Sequence, residues 1–131
     1  MTEFYNQFFC EDNPQYSVTI EDDGKVAYAY LFKDSGIIGD IWLYNQDPTP
    51  EITSWNKHDM PFLNPKEYIK YNIEPIISVN EINLSWSILE NNDIDEVLIY
   101  INNKLIAKLT PGSTPGWSTC VLKNGPLAMV L

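Results

Sequence analysis

From residue 15 to residue 45 the chain alternates in the manner of strands: QYSVTIEDDGKVAYAYLFKDSGIIGDIWLYN. Three runs rich in β-branched and aromatic residues are separated by Asp23-Gly24 and by Asp34-Ser35-Gly36, the punctuation of antiparallel hairpins. A three-stranded meander is predicted. A two-residue turn at Asp23-Gly24 pairs Ile20 with Ala27, and a three-residue loop at 34–36 pairs Leu31 with Gly39 and Ala29 with Ile41. One face then carries the aliphatic and small residues Tyr16, Val18, Ile20, Ala27, Ala29, Leu31, Gly39, Ile41 and Leu43. The other carries Ser17, Thr19, Glu21, Val26, Tyr28, Tyr30, Phe32, Ile38, Asp40, Trp42 and Tyr44. If the first loop instead spans Asp22-Asp23-Gly24, the first strand turns over and Tyr16, Val18 and Ile20 join the rings. The two-residue turn is preferred because it sorts small from large side chains and leaves Ser17 and Thr19 outside.

Ahead of the meander, Phe4, Tyr5, Phe8 and Phe9 are spaced to share one side of a short helix over 2–10, with Thr2 as its cap, expected to lie across the sheet at one edge of its aromatic face. Behind it, Pro48, Pro50, Pro61 and Pro65 break residues 46–72 into a long loop. Within that loop Asn64-Pro65-Lys66-Glu67 carries the signals of a helix start, so a short helix is expected over 65–71. Strands resume at 76–79 and at 82–89, where Leu84, Trp86 and Ile88 face one way and Ser85 and Ser87 the other. A hairpin over 96–101 and 105–110 turns at Asn102-Asn103, whose residue type tolerates positive φ. A last pair, 117–123 and 127–131, flanks Asn124-Gly125, with Pro126 pushing the final strand to an edge. The pattern predicts a mainly β, antiparallel β-sandwich or open barrel of about eight strands with one or two short helices, in a single domain of 131 residues.

Composition narrows function. The formal net charge is -10 and the isoelectric point near 4.3, which argues against nucleic acid, whose phosphates require clustered cations. Arginine is absent, so no guanidinium clamp for phosphate or carboxylate exists. The opening MTEFYNQFFCED lacks a basic start and an apolar run, and no stretch reaches the length of a membrane span, so a cytoplasmic protein is expected. Cys10 and Cys120 form no metal or redox pattern and read as two idle, buried thiols.

Catalytic signals are weak. His58-Asp59 lacks a nucleophile or metal to work with, and no serine or cysteine sits in a nucleophile motif. The loop 91–96 offers oxygen ligands at alternate positions but lacks the glycine and distant glutamate of a calcium loop, so it reads as an acidic hairpin turn. No enzyme, no cofactor and no metal is expected.

A surface argument remains. Rings beside carboxylates are the composition of a protein-binding or sugar-binding face, and strong negative charge favours a basic protein over a neutral glycan. In size, charge and lack of catalytic machinery the chain is similar to bacterial immunity proteins. That resemblance implies an inhibitor that neutralises a cognate basic toxin, possibly a nuclease, by covering its active site. The expected partner-binding residues are Tyr28, Tyr30, Asp40, Trp42, Tyr44 and Trp55 as ring-bearing or central contacts, and Asp22, Asp23, Asp47, Asp93 and Asp95 as acidic ones. The alternative is a small carbohydrate- or ligand-binding β-sandwich module without catalysis.

Overall fold

The computed structural model describes residues 2–131. Nine strands form two sheets packed as a β-sandwich. The first sheet is β1 (Phe4–Phe9), β2 (Tyr16–Asp22), β3 (Val26–Lys33) and β4 (Gly36–Asn45), side by side in that order and all antiparallel. The second is β5 (Ile82–Ile88), β6 (Ile94–Ile101), β7 (Lys104–Leu109), β8 (Trp117–Ser118) and β9 (Met129–Val130), again in chain order. Only three single-turn 3-10 segments occur among the described residues, at Lys57–Asp59, Lys66–Tyr68 and Val79–Glu81.

The predicted meander is present with its faces as preferred, but its first hairpin is two residues longer than a tight turn. Ile20 lies opposite Ala29, not Ala27. Both aspartates of the turn cause this: Asp22 Oδ1 accepts from the Gly24 amide, and Asp23 Oδ1 accepts from the amides of Lys25 and Val26. These side-chain turns spread the reversal over residues 23–26, with Gly24 at φ 88°. A slide of two residues preserves the faces, so Val18, Ile20, Ala27, Ala29 and Leu31 still point inward together. The flipped alternative does not occur. In the second hairpin Leu31 meets Gly39 and Ala29 meets Ile41, as expected, although the turn itself is the tighter Asp34-Ser35 followed by a bulge at Ile38, which puts Ile37 on the ring face in place of Ile38.

A second bulge in β4 changes the face of one residue. Tyr28 opposes Trp42 while Ala27 opposes Tyr44, so Leu43 is the extra residue. Tyr44 is thereby moved off the ring face into the row of Phe4, Asp22 and Ala27, and becomes fully buried.

The N-terminal segment is a strand, not the helix expected. FYNQFF alternates half-buried Phe4, Asn6 and Phe8 with exposed Tyr5, Gln7 and Phe9. Aromatic side chains fit a pleated, half-buried surface, and pairing with β2 satisfies backbone groups that an isolated short helix would leave in water. Residues 65–71 give only the 3-10 turn Lys66–Tyr68, and Asn64 does not cap it. Residues 76–79 are not a strand; Ser78 and Glu81 instead form a capping box on the turn Val79–Glu81. The Asn102-Asn103 hairpin is present, with φ 51° and 66°. The last two strands are only two residues each and run parallel, so Asn124-Gly125 closes no hairpin.

Val97, Ile99, Ile101, Ile106 and Leu109 of the second sheet meet Val18, Ile20, Leu31 and Ile41 of the first in one buried cluster. Along the β4 side the sheets are joined by backbone hydrogen bonds: Gly112 donates to Ile38, Asp40 to Ser113 and Gly116 to Asp40. Gly116 makes this join possible, because a Cβ there would lie 2.5 Å from the Lys108 carbonyl oxygen. Cys10 and Cys120 are buried free thiols. Among the described residues no helix is long and apolar enough to cross a membrane.

Candidate interaction face

Three cross-strand rows define the outward face of the first sheet. Their order from β1 to β4 is Tyr5, Glu21, Tyr28 and Trp42, then Gln7, Thr19, Tyr30 and Asp40, then Phe9, Ser17, Phe32 and Ile37. No lysine occurs in any of them.

The β3–β4 half of the first row is sealed from within the molecule, while Tyr5 and Glu21 at its other end are exposed. Tyr28 is 8% exposed and Trp42 0%. The proline-broken loop lies over both: the Tyr28 hydroxyl donates to the Phe62 carbonyl at 2.7 Å, and Trp42 Nε1 donates to Asn45 Oδ1 at 2.9 Å. Asn45 is tied to the loop through the Asn64 amide and carbonyl and the Thr49 hydroxyl. Burial and the neighbouring Tyr30 push the Tyr28 phenol well above its usual pKa. Trp55, 38% exposed, packs edge-on against Phe62 and beside Tyr68.

Four expected contacts are therefore corrected. Trp42 and Tyr28 lie under the loop, whose prolines stop it from forming regular structure and leave it free to follow the sheet surface. Tyr44 was carried inward by the β4 bulge. Asp22, on the same inward row, is buried at the sandwich end, where Oδ2 accepts from the Tyr44 hydroxyl and Gln46 Nε2, both at 2.6 Å. The Tyr44 hydroxyl in turn accepts from the Ile76 amide. Burial, followed by the bond to Asp22, raises the Tyr44 pKa. This network is a structural anchor and is not available to a partner.

The β1 end of the first row and the remaining two rows are open. Tyr5 is 67% exposed and Phe9 58%, and Ile37 is also exposed, while Tyr30 and Phe32 are half-buried. Ser17 and Thr19, expected outside, are buried in the rows between them, and Gln7 Nε2 donates to the Ser17 hydroxyl. Asp40 stands beside Tyr30, half-buried and without an ion pair among the described residues. Burial holds its carboxyl above the usual pKa. Burial also raises Tyr30, assisted by the charges of Glu21 and Asp40.

Acidic side chains extend the face at the end of β1 and β2. Adjoining clefts there bring Glu3, Glu21, Asp23 and Asp47 together beside Tyr5, with Lys25 as the only lysine lining them. Asp93 and Asp95 lie elsewhere, in and after the β5–β6 turn. Asp93 accepts from the Tyr16 hydroxyl and pairs loosely with Lys33. Tyr5, Phe9 and Glu3 were not anticipated as contacts, because the helix assigned to residues 2–10 hid the period-two exposure of Tyr5, Gln7 and Phe9.

His58 is exposed on its 3-10 turn, its amide bonded to Asn56. Among the described residues no three His, Cys, Asp or Glu side chains converge in a way that could hold a metal ion. No protein-family model matches the chain, and neither a curated protein nor a solved structure is similar enough to count as a match. The face is therefore read from its own geometry.

Proposed function

We propose that this chain is a protein-binding inhibitor of the immunity type, which grips a basic toxin with the open part of the β1–β4 face and masks the toxin's active site. The observation that carries this reading is Asp40. A carboxylate half-withdrawn from water, unpaired among the described residues and bordered by Tyr30 on a lysine-free face, gains a partner when a lysine or arginine arrives from outside. Tyr5, Tyr30, Phe32 and Phe9 supply the apolar contact around it, and rigid rings are economical anchors because they lose little rotamer freedom. Glu3, Glu21, Asp23 and Asp47 extend the negative field at the rim, where charge chiefly accelerates encounter.

The sugar-binding alternative is less well supported. A glycan platform needs exposed, near-parallel rings, and the near-parallel pair on this face is Tyr28 with Tyr30, 14° apart, of which Tyr28 is sealed.

Co-expression with the product of the adjacent gene, followed by pull-down and growth rescue, tests the proposal. A tight complex is expected at low salt, weakening as salt rises. Asp40→Lys and Tyr30→Ala are each expected to weaken it by roughly 10- to 100-fold while leaving the circular dichroism unchanged. Absence of both a complex at low salt and any rescue overturns the reading.

A further inference from the structure

The two sides of the sandwich differ. At β4 the sheets are tied by the hydrogen bonds of Gly112, Ser113 and Gly116, whereas β1 and β5, the terminal strands of their sheets, flank an open groove of about 450 Å³. Half-buried Phe8, Leu84 and Trp86 line it together with exposed Phe9 and buried Ile82 and Cys10, and Glu11 and Asp12 are its charged lining. Among the described residues neither strand has a second neighbour: β1 pairs with β2 alone, and β5 with β6 alone.

Exposed strand edges are normally blunted by lysine, proline or a bulge, because unpaired amides and carbonyls recruit other strands. FYNQFF contains no charge and no proline, and neither does INLSWSI. Charge is placed at their ends instead, and all of it is negative: Glu3, Glu11 and Asp12 around β1, Glu81 and Glu90 around β5. None of the chain's lysines lines the groove. Two copies of a chain with net charge -10 repel each other, and pairing β1 with β1 brings these acidic flanks together. A strand bearing lysine or arginine is favoured by the same charges.

We infer that the open seam receives an extended basic segment of another protein, which adds to the first sheet as a strand beside β1 and sets alternate apolar side chains against Phe8, Leu84 and Trp86. Backbone pairing supplies affinity, and the groove with its acidic flanks supplies selection. Six residues of β1 span about 20 Å, enough to hold a peptide of similar length. The inference takes from the proposed function only the basic character of the partner. Its contacts are backbone edges and the groove, which share only Phe9 with the ring face.

The test uses the whole chain and a soluble decapeptide in which lysine alternates with valine and threonine, with glutamate replacing lysine in the control. Hydrogen exchange is followed by NMR. With the lysine peptide at saturation and low salt, the β1 amides that point away from β2 are expected to slow by at least about tenfold, and high salt should abolish the effect. The glutamate peptide should give no protection, and the surface variant Glu11→Lys/Asp12→Lys should reduce protection by the lysine peptide. The inference is overturned by unchanged β1 exchange with the lysine peptide, or by equal protection from both peptides. It is equally overturned if β1 amides slow with protein concentration alone and sedimentation shows a dimer, since the seam then serves a second copy. Asp40→Lys should leave peptide protection intact while weakening the toxin complex, so failure of either proposal is seen separately.

Discussion

Asp40 and Asp22 are both aspartates of the first sheet, yet their surroundings give them opposite roles. Asp40 has no cation beside it, and burial alone raises its carboxyl pKa. The folded state therefore holds a proton at pH values where the unfolded chain has already released it, and stability falls as pH rises through the window between the ordinary and the raised value. Asp40→Asn is accordingly expected to raise the melting temperature at neutral pH, with a gain that shrinks to nothing as pH drops below the ordinary carboxylate range. Thermal melts across that range check the sign, and weaker partner binding should accompany the gain. Asp22 accepts from the Gly24 amide, the Tyr44 hydroxyl and the Gln46 amide, and so ties the first hairpin to the β4 bulge. Asp22→Ala leaves a buried hydroxyl without its acceptor and should cost about 3 kcal/mol or more, measured by urea unfolding. At this scale sequence reasoning grouped the two aspartates as equals, since residue type does not reveal which face a bulge will turn inward.

Among the elements, alternation was most readable where strands are joined by short connections carrying turn residues. The β2–β3–β4 meander, the β6–β7 hairpin at Asn102-Asn103 and the inward set of β5 all follow from period two and turn chemistry. β1 was misread because four aromatics in nine residues satisfy a helical spacing as well as a strand, and only the edge of β2 decides between them. The final segment failed for the converse reason: Asn124-Gly125 signals a hairpin, but the residues after it pair in parallel with β8. The join between the sheets depends on one absent side chain. Gly116→Ala places a methyl group 2.5 Å from the Lys108 carbonyl oxygen, so β7 and the 112–116 crossing must separate. A loss of about 1–3 kcal/mol is expected from equilibrium unfolding, with faster hydrogen exchange at the Asp40 and Gly116 amides and little change in the distant β1–β2 ladder.

For the molecule as a whole, a net charge of -10 with lysine excluded from both the ring face and the seam gives a surface that repels its own kind and attracts cations. Association with a basic partner should consequently slow steeply with ionic strength, while the dissociation rate changes little, and stopped-flow measurements at two salt concentrations separate the two. The sequence by itself determined the β class, the inward set of the central meander and the sign of the field, because strand periodicity, turn residues and charge are local or additive properties. Tertiary structure alone decided which rings remain in water. The proline-broken loop returns to cover Tyr28 and Trp42, a single extra residue in β4 buries Tyr44, and the N-terminal segment, expected to cover one edge of the ring face as a helix, instead extends that face as a strand with Tyr5 and Phe9 exposed. The return of the loop joins residues 34 positions apart and leaves no period from which it could be read, a bulge is a break in register that alternation does not foretell, and in β1 the period-two signal matched a helical spacing equally well.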